Sequence, residues 1–390
     1  MTARIRLAGP GGSTQDHVLT GPAEPLPTRL EPATSRVAYS AAHVVLDPLA
    51  DASPVTAPAI DWEATLRFRH HVWDLGLGVA DAMDTAQRGM GLPLESAHEL
   101  IRRSAAEATA RGARVACGAG TDRLVPGVAT VEDVVEAYLE ETAFIEDSGA
   151  EVILMASRAL AAAARGPEDY LAVYGRVLEQ ASGPVILHWH GAVFDPQLQG
   201  YWGSDDLDRA TETVVELIAA NREKVAGIKI SLLDEQREID LRRRLPAGVR
   251  MFTGDDFNYP NLIKGDEHSA SDALLGIFDP IAPVAAAALQ ALDGGDVDRY
   301  DELFAPTVPL ARKVFEAPTF HYKTGVVFLA YLRGFQDHFR MVGGLEGARS
   351  VAHLSELFRL ADRAGLLADP DLAVQRMLPV LALNGIDGRI

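Results

Sequence analysis

The chain predicts an α/β fold, a (β/α)8 TIM barrel with a C-terminal helical extension, and two observations predict it. Short β-type runs alternate with helical stretches from Arg36 to about residue 280, giving eight βα units. Eight such units over roughly 250 residues suit a closed barrel better than an open sheet, and place an active site at the strands' carboxyl ends. From Ile281 onward the β signal stops, and Ala-rich, amphipathic helical segments run to the end.

The elements read as follows. Residues 1–35 are rich in Gly, Pro and Thr, with short β-like pieces at Arg4 to Leu7 and His17 to Thr20 around Pro10-Gly11-Gly12, which suits a hairpin lid or a frayed arm. Barrel strands are predicted at Val37 to Ser40, Val79 to Thr85, Arg114 to Gly118, Glu151 to Met155, Pro184 to His190, Val225 to Ser231, Val249 to Thr253 and Ala273 to Ile277. Between them lie helical stretches near Trp62 to Leu75, Leu94 to Ala110, Pro167 to Gln180, Asp205 to Asn221 and Glu235 to Arg244, with a further helix opened by Thr130 and Asp133 as a capping box. The expected organisation is an arm over 1–35, a barrel over 36–300 and a helical extension over 301–390.

Composition bounds the function. With 390 residues, 48% hydrophobic and 23% charged, the chain can bury one large core plus an accessory element. Its net charge of -19 argues against a nucleic-acid partner or an anionic membrane, since both attract basic surfaces. Cys117 is the only cysteine, so no disulfide can form within the chain. No signal peptide or run of eighteen apolar residues is apparent, and a cytoplasmic location is expected. There is no phosphate-binding Walker loop, no dinucleotide fingerprint after a strand and no His-Glu-x-x-His helix.

The polar residues at strand ends carry the chemistry. In Val225-Ala226-Gly227-Ile228-Lys229-Ile230-Ser231, period two puts Gly227, Lys229 and Ser231 on one face and the apolar residues on the other. A lysine inside a parallel strand is costly unless chemistry uses it, because burial lowers its pKa and frees the amine for Schiff-base formation. The competing reading is a strand-end lysine that reaches solvent. Of the five lysines, Lys224, Lys229, Lys264, Lys313 and Lys323, only Lys229 has apolar strand on both sides and a small residue, Gly227, below it, where a carbonyl would need room. His188 and His190 share the inward face of Ile186, and three readings stay open for them: metal ligands, a general base with its partner, or hydrogen-bonded core residues. Thr253-Gly254-Asp255-Asp256 is either a polar wall or turn chemistry. Asp84, Thr85 and Arg88 offer a carboxylate, a hydroxyl and a cation to a ligand, or form a solvated loop.

These residues resemble, in order and spacing, the dihydrodipicolinate synthase and N-acetylneuraminate lyase family of Schiff-base aldolases over roughly residues 36–340. Gly227-Ile228-Lys229 is similar to the family's stretch carrying the Schiff-base lysine, and Phe252-Thr253-Gly254-Asp255-Asp256 to its Ser-Gly-Asp-Asp stretch. Thr85 falls at the first threonine of the family's carboxylate-binding turn, and Gly118, Gly120, Pro184 to Leu187, Pro283, Gly295-Asp296 and Lys323 also match family positions. The chain departs from the pattern at His188, where the family has its relay tyrosine, at Ala86 for the second threonine, and at Ala156-Ser157-Arg158. The resemblance therefore implies a divergent, poorly characterised branch, with the fold and the lysine carried over and a pyruvate substrate not.

The expected activity is a lyase or aldolase in which Lys229 forms a Schiff base with a small carbonyl compound, keto acid or sugar-like, with no cofactor. His188 is expected as general acid/base, and His190, Asp84, Thr85, Arg88, Asp255 and Asp256 as substrate-binding residues. The alternatives are a metal-dependent sugar isomerase or class II lyase-like barrel, with a divalent ion on His188, His190 and a nearby Asp, and a non-catalytic metabolite-binding barrel. The apolar stripes of Val326, Leu329, Ala330 and Leu332 and of Leu354, Leu357, Phe358 and Leu360 are expected to pack on the barrel and on a neighbouring subunit, which makes a homo-oligomer.

Overall fold

The computed structural model describes residues 3–390, so the first two residues of the arm lie outside the described residues. The chain opens on an antiparallel hairpin of β1 (Arg4–Ala8) and β2 (Thr14–Val18). Eight parallel strands then close a barrel: β3 (Ala38–Ala41), β4 (Gly78–Asp81), β5 (Val115–Ala119), β6 (Glu151–Leu154), β7 (Val185–His190), β8 (Val225–Ser231), β9 (Arg250–Thr253) and β10 (Asp272–Leu275), with β10 returning to β3. Each is short, as parallel strands buried on both faces commonly are, and side chains alternate between the barrel lumen and the helical shell.

The alternation sorts the core into two clusters. Tyr39, Ala80, Ala116, Ile153, Ile186, Phe252 and Leu274 face inward and fill the lower lumen, while Val79, Cys117, Leu187, Trp189, Ile228 and Ile230 join the outer core. The Tyr39 hydroxyl donates to the Glu151 carboxylate at 2.9 Å and closes the amino end of the lumen. The shell comprises α1 (Trp62–Asp74), α2 (Leu94–Arg111), α3 (Val131–Asp147), α4 (Arg158–Ala163), α5 (Pro167–Gln180), α6 (Leu207–Ala220), α7 (Glu235–Arg242), α8 (Tyr259–Lys264) and α9 (Phe278–Asp293). The predicted capping box is present on α3, with Thr130 Oγ accepting from the Asp133 amide and the Asp133 carboxylate accepting from the Thr130 amide.

One predicted strand is too long. The run from Val79 to Thr85 ends as a strand at Asp81, because Ala82 takes a left-handed φ of 50° and the chain winds into a 3-10 turn over Asp84–Ala86. Asp81 faces outward, where Arg69 and Ser104 bind its carboxylate, so the turn that follows leans back over the barrel mouth. The short α4 and α8 follow β6 and β9 closely and have too few residues to show a helical period.

Five helices follow the barrel: α10 (Val297–Phe304), α11 (Thr307–Val314), α12 (Tyr322–Leu332), α13 (Val351–Arg363) and α14 (Pro370–Leu383). Every residue of α12 is buried, against α9, α11, α13, α14 and the Asp84–Ala86 turn. The hairpin is neither frayed nor a lid: it packs on α13 and α14, with the Ala8 amide donating to Ser355 Oγ and the Arg6 amide to the Gly388 carbonyl. No helix among the described residues is long and apolar enough to cross a membrane.

Candidate active site

The barrel register sets the centre of the site. Lys229 on β8 pairs with His188 on β7 and with Phe252 on β9, and His190 pairs with Ser231 one step nearer the mouth. Lys229, His188 and Thr85 thus gather at the carboxyl end of one closed barrel. A cavity of about 220 Å3 opens there, with Asp84, Met155, Arg158, His188, His190 and Asp195 on its walls. Lys229, 7% exposed, is the register partner of His188, which lines that cavity.

Lys229 Nζ makes no ion pair within 4.0 Å and no hydrogen bond among the described residues. Burial pulls its pKa below the usual 10.5, against the opposing pull of Asp256 and Asp84. Asp256, buried beside it, accepts the Ile277 amide at 2.8 Å and is pushed up to about 7 by burial and by Asp255. A carboxyl near neutrality facing a depressed amine is a pair between which a proton moves at little cost.

His188 is fully buried, its Nε2 3.3 Å from Ser231 Oγ and its Nδ1 without a protein partner. Burial first, then the neighbouring Lys229 and His190, hold its pKa well below the usual 6.5, so the ring is neutral at pH 7. His190, lowered to about 4 mainly by burial, lies 3.1 Å from Asp84. Burial of Asp84 would raise its pKa, but His190, Lys323, Lys229 and Arg158 outweigh burial and keep it ionised.

The remaining expected residues stand as follows. Thr85 is at the mouth, its hydroxyl 2.8 Å from the Tyr322 hydroxyl. Arg88 reaches the cavity wall, yet its guanidinium binds Asp122, Glu141 and the Gly118 carbonyl. Asp255 is spent on its own turn, accepting from the Phe257 and Asn258 amides and from Asn258 Nδ2. Gly227 does not leave room for a carbonyl: a Cβ there would come within 2.7 Å of the Phe252 ring and the Arg250 carbonyl, so packing fills that space. The glycine against the lysine itself is Gly254, where a Cβ would overlap Ser231 Oγ and come within 2.7 Å of Lys229 Cε, so the strands close on the Lys229 stem there.

Two site residues escaped the reading of the strand ends, Tyr322 and Lys323, both from the first turn of α12. The Tyr322 ring stacks on Phe315 at 4.4 Å, and Phe194 bridges it to His190. The available signal is the polar triplet Tyr322-Lys323-Thr324 opening an otherwise apolar helix. For a divalent metal the donors do not fit: no three His, Cys, Asp or Glu side chains among the described residues converge as ligands. His188 and His190 each already have a side chain near Nε2, Ser231 and Asp84.

No curated protein matches the chain. Among solved structures, dihydrodipicolinate synthase from Aquifex aeolicus is similar at 15% identity and a TM-score of 0.64, covering 86% of this chain and 99% of its own. The enzyme from Oceanobacillus iheyensis is similar at 17% identity and a TM-score of 0.59, covering 77% and 87%. YagE, a prophage protein of the dihydrodipicolinic acid synthase family from E. coli K12 solved in complex with pyruvate, is similar at 13% identity and a TM-score of 0.66, covering 85% and 99%. The chain thus shares the barrel fold of these structures, and with a family model matching residues 5–386 it belongs to the family described as "Protein of unknown function (DUF993)".

Proposed function

We propose that the protein is a lyase of the Schiff-base type acting on a small carbonyl compound. The single observation that carries this reading is Lys229: a buried amine on a barrel strand, free of any carboxylate contact, beside a carboxyl whose pKa lies near neutrality. The neutral amine attacks the carbonyl carbon of an aldehyde or ketone and forms a carbinolamine, which loses water to leave an iminium. The iminium nitrogen then accepts the electron pair of an adjacent breaking C-C bond, or the pair left when an α-proton departs before loss of a hydroxyl as water. Where a C-C bond has broken, the enamine so formed takes a proton at carbon to give back the iminium, and hydrolysis of the iminium returns Lys229.

Each neighbour has a stated part. Asp256 takes the ammonium proton of Lys229 and so readies the nucleophile. His188, neutral and with Nδ1 free of protein partners, moves the proton between carbinolamine and water. Thr85 with Tyr322 holds a phenol at the mouth and orients substrate oxygen, which supports the same reading for a chain whose β7 ends in histidine. Asp84 and His190 line the wall toward the substrate hydroxyls.

The test is chemical trapping. Wild-type protein incubated with candidate aldehydes and ketones and reduced with borohydride is expected to gain the substrate mass on Lys229. Lys229→Ala and Lys229→Arg should lose the adduct and at least about 10^3-fold in turnover. Both should unfold within about 1 kcal/mol of wild type, since each relieves or keeps an unpaired buried charge. An adduct on Lys264 or Lys323, or undiminished turnover in Lys229→Ala, defeats the proposal.

A further inference from the structure

Lys323 is placed where no structural role accounts for it. It is 3% exposed, on the first turn of α12, with its ammonium 4.4 Å from the centre of the Tyr322 ring and 5.1 Å from that of Phe320. Its one hydrogen bond is to the Phe320 carbonyl at 3.3 Å, and no carboxylate lies within 4.0 Å of it among the described residues. A buried ammonium so poorly matched costs several kcal/mol unless something else meets it.

The charges around it are the walls of the active site: Asp84 from the β4 turn, Arg158 from α4, Asp195 after β7 and Lys229 from β8. Asp195 already holds Arg158, and Asp84 sits against His190. Lys323, Arg158 and Lys229 thus stand with Asp84, Asp195 and the Asp256 that faces Lys229, so in a chain whose net charge is -19 the mouth is close to balanced and each carboxylate there already has a partner of its own. The amino end of α12 adds its own partial positive charge, and no side chain caps it.

We infer that Lys323 reads an anionic group of the substrate, carboxylate or phosphate, so that the carbonyl compound taken by this site is an anion rather than a neutral sugar or aldehyde. The inference rests on the Schiff-base reading for the word carbonyl, while the anion site stands on Lys323 alone. Its placement brings the helical extension to the edge of the cavity, whose lining residues Asp84, Arg158 and Asp195 are the charged neighbours of Lys323.

The test uses full-length Lys229→Ala protein, in which no imine can form, and calorimetric titration with lactate, glycerol 3-phosphate and glycerol. One of the two anions is expected to bind and glycerol is not, and which anion binds separates a carboxylate site from a phosphate site. Adding Lys323→Met should weaken that anion at least tenfold, while Lys323→Arg should stay within threefold. Affinity should fall as pH rises through about 8, where burial places the Lys323 pKa against the pull of Asp84, and Lys323→Arg should remove that fall. If Lys323→Met does not fold, Lys323→Gln replaces it in the same comparison. No anion binding, equal affinity in the Met or Gln variant, or glycerol binding as tightly as the anions overturns the inference. Because Lys229 is absent from this titration, failed borohydride trapping in the wild type sinks the Schiff-base reading without touching the anion result, and the reverse also holds.

Discussion

Burial moves the Asp256 carboxyl and the Lys229 amine toward neutrality while each opposes the other's shift, and this coupling is open to a direct test. Ionised Asp256 favours the ammonium, so its charge raises the Lys229 pKa against burial. Asp256→Asn removes that charge, and the amine pKa falls further. The acid limb of borohydride trapping should then move to lower pH by about one unit, while turnover drops about tenfold or more for want of the proton acceptor. An acid limb that stays in place, or moves up, shows that Asp256 does not face the amine as described. Lys229 and His188 were legible because a polar residue on the inward face of an apolar strand has few roles. Asp256 was visible as a residue but not as a carboxyl held near neutrality, since its burial depends on β10 and the start of α9 covering it. Tyr322 was invisible to strand-end reasoning because it reaches the mouth from a helix 93 residues beyond Lys229 in sequence.

At the scale of elements, the end of β9 shapes the lysine's space. Gly254 is in contact distance of Ser231 on β8 and of the Lys229 stem, so any side chain there presses on that lysine. Gly254→Ala should leave the barrel folded at a cost of about 1–3 kcal/mol from overpacking, yet slow trapping on Lys229 by an order of magnitude or more. A urea midpoint measured beside the trapping rate checks both halves; a variant as fast as wild type shows that the strands part without disturbing the amine. The eight strands were legible because inward and outward residues keep period two between Gly- and Pro-marked loops. The end of β4 was not, since the left-handed turn at Ala82 is set by Arg69 and Ser104 holding Asp81 rather than by any turn-forming residue. The Thr253-Gly254-Asp255-Asp256 stretch joins both readings the residues allowed, Asp255 as turn chemistry and Asp256 at the lysine.

Across the whole molecule, the helical extension is bound into the barrel. The apolar stripes expected to pack on the barrel and on a neighbouring subunit are buried within the chain, as the first half of that expectation has it: α12 is enclosed, and Leu354, Leu357, Phe358 and Leu360 of α13 are buried. Periodicity shows that a face needs covering, but not what covers it, and here the N-terminal hairpin is one of the covers. Its clasp is Asp362 on α13, which accepts from the Thr20 and Gly21 amides at 3.1 Å and lies 2.9 Å from His17 Nε2. Burial would raise the Asp362 pKa, but His17 and the two amides outweigh it and hold it below the usual 3.8. The clasp therefore contributes stability above about pH 4, and loses it as pH falls through the lower folded-state value. Asp362→Ala should lower unfolding free energy at pH 7 by about 1–2 kcal/mol, because part-buried donors lose their charged acceptor, and the deficit should shrink toward pH 3 as wild type loses its own charge. Limited proteolysis should then cut the Pro22-Ala23-Glu24-Pro25 stretch sooner, with trapping on Lys229 unchanged, since the clasp is on the extension and not at the mouth. An unfolding deficit that is the same at pH 3 and pH 7 would show that packing, and not the carboxylate, holds the hairpin to α13.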